Sequence, residues 1–142
     1  MFGTSGIRGE VGDDVTAELA LSVGRALASA GYGRVVVGRD VRDSGVVLQG
    51  ALSAGLRECG ADVVDVGTAA TPTVARSVEW CDADAGVAVT ASHNPPKDNG
   101  LKPLTRTGQA FDAARRDRIT SRVEEGAYEL ASADRMGTER RW

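Results

Sequence analysis

The chain's single histidine, both of its lysines and two of its four prolines lie in Thr90-Ala91-Ser92-His93-Asn94-Pro95-Pro96-Lys97-Asp98-Asn99-Gly100-Leu101-Lys102. A small, apolar run, Ala85-Gly86-Val87-Ala88-Val89, leads into this stretch as a buried strand would. The Pro-Pro and Asn-Gly pairs then forbid regular structure until Leu101. Ser92 is therefore expected just past a strand end on a stiff, exposed loop, where a nucleophilic hydroxyl is both rigidly held and reachable. A plain Ser-Asn-Pro turn is the conformational alternative, because these residues dominate turns for their backbone preferences alone. His93 is not the base for Ser92: adjacent side chains in an extended segment point to opposite faces, and the sequence has no second histidine. Something other than a neighbouring imidazole must activate or modify this serine.

The elements that would hold the loop are legible as alternating strands and helices. Thr16 can cap a helix carrying Leu19, Val23, Leu27 and Ala30 on one face and ending at Gly31. Arg34-Val35-Val36-Val37-Gly38 reads as a strand covered on both faces. Ser44 or Asp43 can start a second helix, with Val47, Leu48, Ala51, Leu52, Leu56 and Cys59 as its apolar stripe and Gly60 as its stop. A strand follows over Asp62 to Val66, then a short helix opening at Thr71-Pro72 and burying Val74, Val78 and Cys81. After the loop, Leu101 to Leu104 suggests a strand, and Pro103 suggests a sheet edge. Asp112 to about Gly126 reads as a surface helix with a solvated charged face. Strand, helix, strand with short connections predicts an α/β domain of three layers, with a mostly parallel central sheet of about four strands and helices on both faces. Residues 1–127 form this domain, and 128–142, where the pattern fades, are expected to be a mobile tail or linker.

With 142 residues the chain suits one domain with its own core. Apolar residues at 42% and charged residues at 26% are ordinary for a globular protein and exclude a disordered one. A net charge of −3 argues against nucleic-acid or anionic-membrane partners chosen by bulk electrostatics. Cys59 and Cys81 read as small buried hydrophobes, which suits a reducing compartment. No basic-then-apolar leader and no run of about 18 apolar residues is present, so a soluble cytoplasmic protein is expected. Asp82 and Asp84 have the Asp-x-Asp spacing of many magnesium sites, yet they precede the strand whose far end carries Ser92. They would sit about 15 Å or more from it and read as solvated acids. The glycine-rich opening, Phe2-Gly3-Thr4-Ser5-Gly6-Ile7-Arg8-Gly9, presents Arg8 on a hairpin-like loop. Asp40 and Arg42 are placed to brace one another and a neighbouring loop.

The stretch from Thr90 to Lys102 resembles the phosphoserine loop of the α-D-phosphohexomutases, enzymes that interconvert 1-phospho and 6-phospho sugars. Three further stretches agree in order: Phe2 to Gly9, Gly38-Arg39-Asp40-Val41-Arg42-Asp43-Ser44-Gly45, and Asp65-Val66-Gly67-Thr68-Ala69-Ala70-Thr71-Pro72. The resemblance implies that Ser92 carries a phosphate, gives it to one hydroxyl of a phosphosugar and recovers it from the other through a bisphosphate. It implies acid/base or phosphate-contact roles for Arg8 and Lys102, with His93 a further candidate ranked below Lys102. Thr4, Ser5 and Asn94 would join Arg8 and Lys102 in holding substrate or phosphate. Ser92, through its phosphate, would be a ligand of a magnesium ion, and a sugar bisphosphate would be the activator.

Family members have four domains, and their metal, sugar-recognition and phosphate-clamping loops belong to the later three. This sequence resembles the first domain alone. The resemblance thus implies three partner domains, little activity in isolation, and weak self-association through an exposed interdomain face. A non-catalytic α/β folding or assembly module is the alternative. The hexose, whether glucose, mannose or glucosamine phosphate, is left open.

Overall fold

The computed structural model describes residues 2–142, and a single six-stranded sheet runs through them. In chain order the elements are β1 (Ile7–Glu10), α1 (Ala17–Ser29), β2 (Arg34–Arg39), α2 (Gly45–Glu58), β3 (Asp62–Thr68), α3 (Thr71–Trp80), β4 (Ala85–Val89), β5 (Asp98–Leu104), α4 (Ala113–Glu125) and β6 (Glu139–Arg141). The strand order is β1-β5-β4-β2-β3-β6. β2 pairs in parallel with β3 and β4, and β6 in parallel with β3, whereas β5 is antiparallel to both β4 and β1. The α/β class is as expected, but the sheet is mixed and has six strands instead of being mostly parallel with about four.

Two cores lie on the two faces. Val35, Val37, Val63, Val87, Val89 and Leu101 pack with Leu27 of α1, Leu48, Leu52 and Leu56 of α2, and Ile119 of α4. On the opposite face Val36, Val64, Ala88 and Leu104 meet Val74 and Val78 of α3. Each such fully buried leucine or valine contributes roughly 1.5–3 kcal/mol, and strands covered on both sides explain the uninterrupted apolar runs. α3 comes close because Gly38 and Gly86 bear no side chain there: a Cβ on either would stand 2.7 Å from a valine methyl of the helix.

Three strands depart from the sequence reading for identifiable reasons. The glycine-rich opening is a tight turn at Thr4 and Ser5 followed by strand β1, so Arg8 is a strand residue and not a loop residue. β5 starts at Asp98 and is an inner strand, Pro103 notwithstanding, because β1 pairs only with Asp98 to Leu101 and has ended before the proline. The region after Tyr128 predicts a mobile tail, but it is tied to the domain. Ala131 N–H donates to Glu58 O, Gly137 N–H to Arg57 O and Val63 N–H to Thr138 O, before β6 pairs with β3. Trp142 then stacks on Trp80 with ring centroids 5.4 Å apart. A three-residue exposed strand carries almost no hydrophobic signal, which is why the sequence pattern misses it.

Of the expected caps, Thr16 forms, its Oγ1 accepting from Leu19 N; Ser44 takes the N-cap position of α2 without a capping bond from its side chain, and α3 begins one residue earlier than predicted, with Ala70 as its N-cap. At α4, Asp112 Oδ1 accepts from Arg115 N at 2.9 Å, and Gly126 closes the helix in the left-handed region at φ 62°. The Arg115 backbone N–H, helped by the Arg115 guanidinium, holds the Asp112 carboxyl below the usual carboxylate range. A folded pKa below the unfolded one means the cap stabilises above the unfolded value, about 3.9, and is lost as pH falls through the folded one. Lower protection factors for α4 amides, after correction for the pH dependence of intrinsic exchange, are therefore expected on acidification below about pH 4. Asp112→Asn, a neutral capping residue, should abolish that pH dependence. An Arg115 amide protection factor that stays unchanged on acidification would show that the carboxylate is not the cap.

Candidate active site

Ser92 lies three residues beyond the C-terminal end of β4, exposed, in a turn that Asn94 N–H closes on Ala91 O at 3.0 Å. Its φ of 52° is in the left-handed region, which a serine occupies only when surrounding contacts impose it. Those contacts come from both sides. Ser92 N–H donates to Thr90 Oγ1 at 3.0 Å, and that hydroxyl donates to Asp40 Oδ2 at 2.7 Å. Ser92 O accepts from Arg42 Nη2 at 2.9 Å. The backbone is thus fixed while the Oγ remains in solvent.

Arg8 reaches that oxygen. Its Nη2 donates to Ser92 Oγ at 3.0 Å, across 84 positions of sequence. Strand register explains the meeting: Arg8 lies opposite Gly100, and β5 in turn lies beside β4, which delivers Ser92. Gly100 is required here, since a Cβ would stand 3.0 Å from Arg8 Cγ and 2.8 Å from Thr90 O. Arg8 Nε is buried and, among the described residues, has no hydrogen-bond partner.

Lys102 shares a sheet face with Arg8. Lys102 lies opposite Ala88, whose side chain belongs to the α3 face, and strand alternation puts Gly100 and its partner Arg8 on that face too. The Lys102 backbone packs against Gly6, and Thr4 lies beside it; among the described residues Lys102 forms no ion pair. Thr4 and Ser5 form the tip of the turn before β1 and make no hydrogen bond to the Ser92 loop among the described residues. Asn94 is in the loop itself, its amide donating to Asp98 Oδ2 at 3.2 Å. His93 is exposed and faces a cavity of about 250 Å³ that also borders Gly38, Ala69 and Thr71. A larger cavity, about 700 Å³, opens on the other flank of Ser92 between Val11, Arg42, Ser44, Pro96 and Lys97. The serine thus stands on a ridge between two concavities.

The residues that sequence reasoning singled out least are the ones that build the loop. Asp40 and Arg42 do brace each other, with Arg42 Nε 3.1 Å from Asp40 Oδ2, and they also hold the Ser92 turn. Thr90 and the fully buried Asn99, whose amide donates to Ser44 Oγ at 2.8 Å, had no role assigned. A polar side chain entering or leaving an apolar run was the available signal for both. Asp82 and Asp84 are not simply solvated: Asp84 Oδ2 accepts from Gly33 and Arg34 N–H at 3.0 Å each, and both acids pair with Arg106. Among the described residues no three His, Cys, Asp or Glu side chains are grouped closely enough to hold a metal ion. No helix among them is long and apolar enough to cross a membrane.

Comparison with known proteins bears on this arrangement directly. Residues 1–129 match the family model described as "Phosphoglucomutase/phosphomannomutase, alpha/beta/alpha domain I". The chain is 43% identical over 141 residues to a Thermococcus kodakarensis protein named "Probable phosphoglucosamine mutase", covering 99% of this chain and 31% of that protein. It is 46% identical over 136 residues to a "Phosphoglucosamine mutase" of Mycobacterium sp. (strain KMS), covering 91% of this chain and again 31% of the relative. Among solved structures, a phosphoglucomutase/phosphomannomutase family protein from Burkholderia thailandensis superposes with a TM-score of 0.86 at 35% identity, over 99% of this chain and 32% of that one. The chain spans about a third of the length of the relatives it matches. By sequence and by structure, then, it belongs to the phosphoglucomutase/phosphomannomutase family and corresponds to that family's domain I.

Proposed function

We propose that the chain is the phosphoserine-bearing domain of a phosphohexomutase, with Ser92 as the carrier of the transferred phosphoryl group. The observation that carries this reading is the 3.0 Å contact between Arg8 Nη2 and the exposed Ser92 Oγ on a backbone locked at positive φ. Phosphoryl transfer needs little covalent chemistry from the protein. It needs an in-line nucleophile and cations around the charge that develops. In the proposed step the bond between Ser92 Oγ and phosphorus breaks, a bond from phosphorus to a sugar hydroxyl oxygen forms, and the hydroxyl proton departs to a base. The reverse transfer from the other end of the resulting bisphosphate restores the phosphoserine and leaves the isomeric monophosphate. Arg8 is placed to stabilise charge on the Ser92 oxygen as the bond breaks, and Lys102, on the same sheet face, is the proposed acid/base or second cationic contact. Thr4, Ser5 and Asn94 are proposed as substrate or phosphate contacts, and His93 as a lesser candidate beside the nucleophile.

The names of the relatives favour glucosamine phosphate as the hexose to test first, ahead of glucose and mannose phosphates. Magnesium and a sugar bisphosphate activator belong to the same proposal. This chain would give the cation one oxygen, from the phosphate on Ser92. The described residues do not otherwise fit a metal ion, so its other ligands would come from the partner domains, and no step is derived through it. A cytoplasmic setting suits phosphorylated sugars as substrates and the free thiols of Cys59 and Cys81.

The test is chemical. The protein as its gene encodes it, incubated with a hexosamine 1,6-bisphosphate and magnesium, should gain one phosphate by intact mass, mapped to Ser92 and absent from Ser92→Ala. The 142-residue chain alone should show no useful turnover in a coupled mutase assay, because the positioning contribution, about 7–11 kcal/mol in well-oriented reactions, would be largely missing. No phosphate on Ser92 would sink the carrier reading. Robust turnover by the chain alone, abolished by Ser92→Ala, would show that the domain needs no partners.

A further inference from the structure

We propose that Arg42 is a positioning residue for the Ser92 hydroxyl, acting with Asp40 to hold the peptide groups on both sides of that serine. The proposal rests on the reading of Ser92 as the phosphate carrier. All the guanidinium donors of Arg42 are engaged. Nε bonds Asp40 Oδ2; Nη1 donates to Pro95 O at 2.6 Å and Asp98 O at 2.9 Å; Nη2 donates to Ser92 O at 2.9 Å and Asn94 O at 2.8 Å. One side chain, only 10% exposed, therefore gathers four carbonyls of the loop. Asp40 orients that guanidinium and, through Thr90 Oγ1, also fixes the Ser92 N–H. The carbonyl and the amide of Ser92 are thus held by the two halves of one ion pair, two residues apart in sequence.

This clamp explains the positive φ. A serine released from it would relax toward the β or right-handed region, swinging its Oγ away from Arg8. Arg8 could not hold it in place, because that contact is a single hydrogen bond to an exposed hydroxyl. Lysine cannot replace Arg42, since an ammonium is a compact point charge with three donors and no planar fork to span four carbonyls and a carboxylate. Arg42 touches neither the Ser92 Oγ nor Arg8, so its effect on transfer runs through the backbone alone.

The test uses the protein as its gene encodes it. Arg42→Lys is expected to lower kcat by about a hundredfold, the effect of misplacing a reacting atom by about 1 Å, with KM unchanged within about twofold. Thr90→Val, which severs only the Asp40 arm, should act in the same direction. Methylguanidinium added to Arg42→Gly should restore at least about tenfold of the lost kcat, which a general loss of stability would not allow. Amide exchange of Ser92 and Asn94 should accelerate in each variant while Val87 in β4 keeps its protection. Wild-type kcat in Arg42→Lys, or a lost kcat with Ser92 and Asn94 amides still protected, overturns the proposal. The exchange measurement needs no substrate, so the failure of this inference is distinguishable from the failure of the carrier reading, which shows instead as turnover unaffected by Ser92→Ala.

Discussion

Gly55→Ala is expected to destabilise the domain by about 3 kcal/mol, the upper end of the cost of overpacking, lowering the melting temperature by roughly 10 °C. Gly55 in α2 faces α1 so closely that an added Cβ would overlap Leu21 O and stand 3.0 Å from Arg25 N. Gly24 in α1 is the reciprocal position, its Cβ overlapping Leu52 O and lying 2.9 Å from Leu56 N. Both obstacles are backbone, so neither can swing aside, and the helices must separate. Opposing this is the helix propensity of alanine, worth up to about 1 kcal/mol over glycine, which is too little to win. Gly50, in the same helix, isolates that smaller effect: it is exposed and nothing lies within 4 Å of a Cβ there. Gly50→Ala should stabilise by about 0.5–1 kcal/mol, opposite in sign to Gly55→Ala. Thermal melts of Gly50→Ala, Gly55→Ala and Gly24→Ala/Gly55→Ala check this, and equal shifts for Gly50→Ala and Gly55→Ala would refute the close crossing.

The second large effect concerns the site. Gly100→Ala should detach Arg8 from Ser92 while leaving most of the fold in place. A Cβ at position 100 would overlap Ile7 O and crowd Thr90 O and Arg8 Cγ, so β1 must move away from β5. β1 is an edge strand, held by few residues, and moves more cheaply than β4 or β2 would. On the proposal that Ser92 carries the phosphoryl group, phosphate acquisition there should fall by at least about a hundredfold, as for other misplacements near 1 Å. The core strands should keep their amide protection. A crystal structure of Gly100→Ala retaining the 3.0 Å contact between Arg8 and Ser92 would contradict this account of how the strand delivers its arginine.

Much of this organisation was legible in the sequence, and the limits have physical causes. Val35 to Val37 and Ala85 to Val89 are buried on both faces and betray themselves as strands, and Thr16 is a cap with the right chemistry three residues before its target. The placement of Ser92 past β4 followed from the apolar run and the Pro-Pro pair, whereas Asn99-Gly100, read as a break lasting until Leu101, lies inside β5. The count of six strands was not legible, because β1 and β6 are short edge strands whose pairing is set by partners remote in sequence; the mixed character comes from β5, antiparallel to both β4 and β1. Pro103 misled for a related reason: the rule that proline marks an edge holds per residue pair, and β1 simply stops short of it. The joint grip of Asp40, Thr90 and Arg42 on Ser92 required coordinates, since the donors of a guanidinium can be assigned to carbonyls only when the loop is folded against them.

The placement of β1 also has a consequence in time. Arg8 is made early, yet its partner Ser92 comes 84 positions later, and the strand that pins Arg8, β5, later still. At synthesis rates of about 5–20 residues per second the arginine waits roughly 4–17 s, and the strand carrying it has no ladder to join in that interval. The parallel core of β2, β3 and β4 can form in chain order while β1 stays unpaired. The serine turn and its arginine are therefore joined only after β2, β3 and β4 and once β5 has left the ribosome, so a chain stalled before β5 can hold the parallel strands while Arg8 and Ser92 remain apart.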